Sequence, residues 1–122
     1  MAMEIELKAR VVDCETLKAI LCEKADYSGA FEKHDTYWYA APPFPAAFSL
    51  MRVRRENRSL PGESTQSVVF ATHKIKQVKD GIEINEEREF EVKPGQEFEA
   101  FLEGLGFAPC AFKKKAGLGF FA

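Results

Sequence analysis

The sequence lacks the features of a membrane or secreted protein. No apolar run approaches the about 20 residues that a membrane-spanning helix needs, and no basic segment followed by an apolar stretch begins the chain. Cysteine is scarce, with three residues. Cys14 and Cys22 lie on one predicted helix, about 12 Å apart along its axis, which is too far for a disulfide. We therefore expect no membrane partner, no disulfide between these two cysteines and a reducing, cytoplasmic location.

An excess of positive charge is also missing. The chain has 17 lysines and arginines against 19 aspartates and glutamates, a net charge of −2, which gives no footprint for nucleic acid. No glycine-rich loop precedes a helix, so neither a P-loop nor a Rossmann nucleotide site is predicted. His34 and His73 have no cysteine or histidine at metal-ligand spacing, and we interpret them as ordinary strand or loop residues. Nucleic acid is therefore not an expected partner.

What the sequence has is a succession of strands and two helices. Its length and its 46% of apolar residues predict one domain over residues 1–122. Periodicity and breaks predict the order β-α-β-β-β-β-α-β, and short links between the middle strands predict an α+β fold with an antiparallel sheet. The predicted strands cover residues 4–10, 34–39, 49–56, 67–76, 82–93 and 110–115; one helix runs from Asp13, its N-cap, to about residue 26, and another covers residues 98–105.

The connections have their own signals. Residues 40–47 contain three prolines, which cannot continue a ladder or a helix, so they are predicted as an extended loop. Residues 57–66 are rich in small polar residues and are predicted as a turn or loop. Lys79-Asp80-Gly81 is a hairpin signal, and residues 117–122 are interpreted as a short apolar tail.

The first strand separates apolar from charged side chains. Alternation places Ile5, Leu7 and Ala9 on one face, which can pack on a core. The opposite face carries two carboxylates and two cations, namely Glu4, Glu6, Lys8 and Arg10. Two carboxylates two residues apart can share a divalent cation, and the cations suit phosphate. The simpler interpretation is the solvated face of an antiparallel sheet.

Four later strands repeat this pairing of charges on one face. The pairs are Arg52/Arg54, Lys74/Lys76, Glu89/Glu91 and Lys113/Lys115. A solvated face would usually carry more serine, threonine, glutamine and asparagine. We therefore favour a curved sheet whose polar side encloses a highly charged ligand. Separate cations with a few carboxylates suit a polyphosphate with a bound divalent metal.

These residues carry a family resemblance. Glu4-x-Glu6-x-Lys8 resembles the ExExK signature of the CYTH superfamily, which includes class IV adenylyl cyclases, thiamine triphosphatases and inorganic triphosphatases, also called triphosphate tunnel metalloenzymes. The aromatic second strand and the proline loop resemble the cyclase branch most. The further matches, spread along the whole chain, are Asp35-Thr36-Tyr37, Arg52-Val53-Arg54, Thr72-His73-Lys74, Glu89-Phe90-Glu91 and Leu105-Gly106-Phe107.

The resemblance implies an antiparallel β-barrel, or tunnel, with a triphosphate along its axis. The substrate would be ATP, thiamine triphosphate or tripolyphosphate, turned over by a cyclase or a triphosphatase reaction; a non-catalytic polyphosphate- or nucleotide-binding module is the alternative. The implied catalytic residues are Glu4, Glu6 and Lys8. The implied triphosphate ligands are Lys8, Arg52, Arg54, Lys74, Lys76, Lys113 and Lys115. The implied ligands of Mg²⁺ or Mn²⁺ are Glu4, Glu6, Glu89 and Glu91.

The sequence departs from the family pattern in two places. Glu87 stands where the family commonly has an arginine, and alternation sends the neighbouring Arg88 to the apolar face unless a β-bulge rotates it. Family domains also usually continue for further strands that close the tunnel. We therefore expect an exposed sheet edge and a partly uncovered helix, with the gap filled by a second copy in a homodimer unless the chain is a shortened one.

Overall fold

The computed structural model describes residues 2–40 and 50–121. The helices and strands follow in the predicted order. The predicted proline loop lies outside the described residues, apart from Ala40. The elements are β1 (Ala2–Glu6), α1 (Cys14–Lys24), β2 (Asp26–Ala40), β3 (Leu50–Ser59), β4 (Gln66–Lys79), β5 (Ile82–Glu91), α2 (Gly95–Gly104) and β6 (Phe107–Phe121).

All six strands belong to one antiparallel sheet with the order β1-β5-β4-β3-β2-β6. This confirms the predicted α+β architecture with an antiparallel sheet. Within the described residues the sheet is open, because β1 pairs only with β5 and β6 only with β2. The predicted closed barrel is therefore not formed by these residues, and β1 and β6 are edge strands.

Strands β2 and β6 are longer than predicted, at 15 residues each. Ser28 and Gly29 lie inside β2, which begins at Asp26, directly after the C-cap of α1. The predicted apolar tail continues β6 as far as Phe121. Gly117 leaves room for the ring of Phe31, its pairing partner on β2, because a Cβ there would lie 2.6 Å from Cζ of that ring.

The predicted hairpin and the predicted helix start are confirmed. Asp80 and Gly81 join β4 to β5 with φ values of 53° and 75°, the left-handed backbone that a tight two-residue hairpin requires. Asp13 caps α1, because its carboxylate accepts hydrogen bonds from the backbone N–H of Thr16 at 3.0 Å and from its hydroxyl at 2.7 Å. Within the described residues, neither helix is long and apolar enough to cross a membrane.

The core lies between α2 and the outer face of the sheet. Trp38, Val53 and Leu102 are at most 2% exposed and form its centre. Met51, Val69, Phe98 and Phe107 pack around them. An ion pair between Arg55 and Glu99 ties the helix to β3. The outer face of the sheet therefore carries the packed core, and the charged side chains lie on the opposite, inner face.

Other apolar side chains remain uncovered. Ile5 and Leu7 are 75% and 76% exposed, so the expectation that they pack on a core is wrong for the described residues. The apolar stripe of α1 is also half-exposed, and that helix has no buried residue. The partly uncovered second helix was expected, and Phe101 and Leu105 are each 62% exposed. Strand β1 ends at Glu6, so of the three residues assigned to its apolar face only Ile5 lies in the strand, and alternation could not show what covers it.

Candidate functional site

The inner face of the sheet forms a charged cleft of about 1000 Å³ that receives side chains from all six strands. Ten cationic side chains and seven carboxylates line it, a formal excess of three positive charges in a chain whose net charge is −2. Its charged lining residues are Glu4, Glu6, Lys8, Lys33, Asp35, Arg52, Arg54, Glu56, Arg58, Lys74, Lys76, Glu83, Glu87, Glu89, Lys113, Lys114 and Lys115.

Strand order divides the charges of this cleft between two sides. Strands β3 and β6 contribute Arg52, Arg54, Lys113 and Lys115, which we call the basic wall. Strands β1 and β5 contribute Glu4, Glu6, Glu83 and Glu87, which we call the acidic wall. Strand β4 lies between them and contributes Thr72, Lys74 and Lys76. The structure therefore brings together every predicted triphosphate ligand around one cleft.

On the basic wall, Arg54 is fixed by Asp35 of β2. Its Nε and Nη2 donate to the two carboxylate oxygens at 2.7 and 2.8 Å, a bidentate pair. Asp35 is 4% exposed. Burial alone would raise the pKa of Asp35, but the hydrogen bonds and charge of Arg54 outweigh it and hold that pKa below its usual value. Arg54 is therefore a positioned cation, with Nη1 outside this pair.

Arg52 is held by a smaller network. Its Nη2 donates to the hydroxyl of Thr72 at 3.3 Å and to Glu89 at 3.4 Å, while the Thr72 hydroxyl donates to the same carboxylate oxygen at 2.8 Å. Its Nε is buried and has no hydrogen-bond acceptor among the described residues. Arg52 therefore retains donor capacity for an anion in the cleft.

The two lysines of the basic wall are not neutralised by nearby carboxylates. The Nζ of Lys113 lies 5.4 Å from the centre of the Tyr37 ring, a cation–π contact. Burial, together with the charges of Arg54 and Lys33, lowers the pKa of Lys115. Within the described residues neither lysine has a carboxylate oxygen within 4.0 Å. A bound anion would relieve this accumulation of positive charge.

On the acidic wall, lysines lie among the carboxylates. Lys74 is 3.5 Å from Glu4 and 3.6 Å from Glu87. Burial and the adjacent Glu4 carboxylate raise the pKa of Glu87. Lys76 lies 2.8 Å from Glu83, and hydrogen bonds from Lys76 and Asn85 lower the pKa of Glu83 to about 2. The predicted ligands Lys74 and Lys76 are therefore in the cleft, but carboxylates already contact them.

The group of carboxylates that fits a metal differs from the predicted one. One oxygen each from Glu4, Glu6 and Glu83 lie within 4.8 Å of one another. Such an all-oxygen donor set fits Mg²⁺ or Mn²⁺. Glu89 contacts the basic wall through Arg52, and Glu91 is outside the cleft lining. The pair register explains this, because Ala2 to Glu6 face Glu87 to Glu83, so Glu89 and Glu91 lie beyond the end of β1.

Sequence reasoning missed other members of the cleft as well. Lys33 lies 3.5 Å from Glu56, which also pairs with Arg58. Alternation along the strands places these side chains on the inner face, so this signal was present in the sequence. Isolated charges, however, form no recognisable motif. Arg88 points to the outer face, where it lies 3.3 Å from Glu86, and the β4–β5 register is continuous. No β-bulge therefore returns Arg88 to the cleft.

Comparison with known proteins identifies the fold alone. No family model matches the sequence, and no curated protein matches it. Among solved structures, the PH1819 protein of Pyrococcus horikoshii OT3 matches with a TM-score of 0.65 and 16% identity, over 90% of this chain and 60% of that one. The PH1012 protein of the same organism matches with a TM-score of 0.61 and 21% identity, over 98% and 63%. The chain thus spans about three-fifths of the length of these structures.

Proposed function

We propose that this chain binds a triphosphate together with Mg²⁺ or Mn²⁺ in the charged cleft and acts on it as a CYTH-type enzyme, related to the class IV adenylyl cyclases. The observation that carries the proposal is the division of one cleft into a basic wall and an acidic wall. A polyphosphate needs separated cations along its length. A divalent metal that accompanies it needs carboxylate oxygens nearby.

The two walls have complementary tasks in this proposal. Arg52, Lys113 and Lys115 bind the phosphate oxygens, because Nε of Arg52 has no acceptor and neither lysine has a carboxylate oxygen within 4.0 Å among the described residues. The fixed Arg54 adds charge at a set position. Glu4 and Glu6 would hold the metal, and Lys8, whose Nζ lies 3.6 Å from Glu6, would bind phosphate oxygens. A metal so held would neutralise phosphate charge and orient or activate the attacking oxygen.

The chemistry needs positioning more than a protein nucleophile. In a cyclase, the ribose 3′-hydroxyl attacks the α-phosphorus and pyrophosphate leaves. In a triphosphatase that acts on thiamine triphosphate or tripolyphosphate, water attacks the terminal phosphorus. The aromatic second strand, with Tyr37 lining the cleft, favours a substrate that carries a base.

The site would be enclosed by a tunnel. The two free edges, β1 and β6, border the acidic and the basic wall respectively. Further strands, supplied by a longer chain or by a second copy in a homodimer, would join these edges and cover the cleft. Such closure would remove water and strengthen each contact to the phosphates.

A non-catalytic polyphosphate- or nucleotide-binding module is the second candidate. It is favoured by the open sheet of the described residues. An open cleft can still bind an anion through its fixed cations. Turnover also requires that the metal and the reacting atoms are held in one geometry and that water is excluded.

A calorimetric titration with tripolyphosphate tests both candidates. We expect binding that weakens with added salt and tightens with Mg²⁺; no binding in either condition would contradict the proposed function. Assays of ATP and thiamine triphosphate turnover, with identification of the products, then separate the enzyme from the module. Glu6→Gln should abolish metal-dependent turnover while the circular dichroism spectrum is unchanged, and full activity in that variant would remove Glu6 from the metal site.

A further inference from the structure

The strand β5 places two further oxygen donors beside Glu4 and Glu6. In the β1–β5 ladder, Glu83 lies directly opposite Glu6, and Asn85 lies directly opposite Glu4. The two glutamates of β1 and Glu83 approach with single oxygens within 4.8 Å of one another. Oxygens on opposite sides of a bound ion are separated by about 4.2 Å for Mg²⁺ and about 4.6–5.2 Å for Ca²⁺, twice the metal–oxygen distance. This spacing suits a hard divalent cation without rearrangement of the backbone.

Asn85 gives an independent indication of a ligand. The residue is fully buried, at 0% exposure, on the same face of β5 as Glu83. Its Nδ2 donates to Glu83 at 3.0 Å, so its carboxamide lies at the carboxylate group. Its Oδ1 is buried and accepts no hydrogen bond from the described residues. A buried acceptor without a partner is costly, and an amide oxygen at a carboxylate cluster is a suitable ligand for a hard cation.

Three ammonium groups now balance the carboxylates, and one of them, Nζ of Lys74, lies 3.5 Å from Glu4. The Nζ of Lys76 lies 2.8 Å from Glu83, and the Nζ of Lys8 lies 3.8 Å from the same oxygen and 3.6 Å from Glu6. Both lysines are more than half exposed. Their flexible stems allow them to turn away when a divalent cation enters. The released ammonium groups remain in the same cleft, where they can meet a polyanion.

We propose that Glu83 and Asn85 complete, with Glu4 and Glu6, a site for a hard divalent cation that takes the place of the Lys76 and Lys8 ammonium groups. The inference deepens the proposed function and rests on it for the role of the metal, but binding of the metal alone requires no triphosphate. It differs from the ligand set that includes Glu89 and Glu91, because those carboxylates lie beyond the end of β1.

The probe is Mn²⁺ alone, titrated into the full chain without phosphate and followed by the electron paramagnetic resonance signal of the free ion. We expect one site in the wild type, at least tenfold weaker binding in Glu83→Gln and several-fold weaker binding in Asn85→Leu. Glu86→Gln is the matched control, since it makes the same change on the outer face of the same strand, and its affinity should stay within twofold of the wild type.

Three results would overturn the inference. The first is that the wild type does not bind Mn²⁺ at millimolar concentration. The second is that the wild type and Glu83→Gln bind Mn²⁺ with equal affinity. The third is that Glu89→Gln loses as much Mn²⁺ affinity as Glu83→Gln. Circular dichroism checks the fold, and if Asn85→Leu does not fold, the comparison of Glu83→Gln with Glu86→Gln decides. A parallel titration with tripolyphosphate in the absence of metal separates the outcomes. Binding of phosphate without binding of Mn²⁺ overturns this ligand set and leaves the proposed function standing.

Discussion

The two walls of the cleft hold their charges in different ways. On the basic wall, the Arg54 and Asp35 side chains are 11% and 3% exposed and share two short hydrogen bonds. On the acidic wall, the Lys8 and Lys76 side chains are 67% and 58% exposed, and each meets Glu83 through a single ammonium. A planar guanidinium held by two bonds keeps its orientation, whereas a lysine on a flexible stem does not. Arg54 of the basic wall is thus preorganised, whereas Lys8 and Lys76 beside the acidic wall can exchange their contacts with Glu83.

The contrast has a consequence for binding. A preorganised cation meets an anion without first losing side-chain freedom, so the contribution of Arg54 to anion affinity does not depend on a rearrangement. The carboxylates of the acidic wall form ion pairs with lysines, and a divalent cation that binds there must displace these lysines. Changes at the basic wall should therefore alter stability and anion affinity, and changes at the acidic wall should alter cation affinity with little effect on stability.

The largest effect is expected where the fixed pair is broken. Asp35→Ala leaves the guanidinium of Arg54 in a largely buried place without its partner. Loss of one member of a buried pair costs about 3–5 kcal/mol, and we expect the low end of that range because the cleft is open to water. Urea unfolding at pH 7 measures this loss. Asp35→Ala/Arg54→Leu, which removes both charges, should recover much of the stability; equal loss in the single and double variants would show that the pair does not act as a unit.

The next effect concerns anion affinity. Arg52→Ala should weaken tripolyphosphate binding at least tenfold, about 1.4 kcal/mol, because it removes the buried Nε donor, which has no acceptor among the described residues. Arg88→Ala is the matched control, since it removes the same charge from the outer face. Isothermal calorimetry at fixed salt compares them. An equal change in both variants would mean that net charge alone sets the affinity and that Arg52 has no specific contact.

A smaller effect depends on pH. The pKa of Asp35 is lowered in the folded protein, chiefly because the contacts of Arg54 outweigh the effect of burial. Its contribution to the free energy of unfolding is therefore complete above the unfolded value, about 3.9, and is lost as the pH falls through the lowered folded value. The free energy of unfolding of the wild type minus that of Asp35→Asn should accordingly be constant from pH 7 to pH 5 and should shrink below pH 4. A difference that grew on acidification would reverse the assigned direction.

Features that depend on neighbouring residues could be predicted from the sequence, whereas the pairing between distant strands could not. The element order, the Asp13 cap and the hairpin at Asp80-Gly81 depend on local signals, and all three are confirmed. Alternation also placed the cations inward correctly, since each strand fixes its own two faces. The register between β1 and β5 could not be predicted from the sequence, and it is this register that places Glu83, not Glu89, opposite Glu6. Register depends on partners distant in the sequence, as does the covering of Ile5 and Leu7.

The smallest effect on stability is expected on the acidic wall. Lys76→Met removes an ammonium group that is largely exposed, and pairs of this kind contribute little to folding, so the midpoint of urea unfolding should stay within error of the wild type. The same change leaves the Glu83 carboxylate with one cation fewer, and Mn²⁺ should therefore bind more tightly. Lys79→Met, on the same strand beside the hairpin, is the control for loss of a positive charge. If Lys76→Met instead unfolds early and leaves Mn²⁺ affinity unchanged, Lys76 is a structural partner of Glu83, and the acidic wall is as fixed as the basic one.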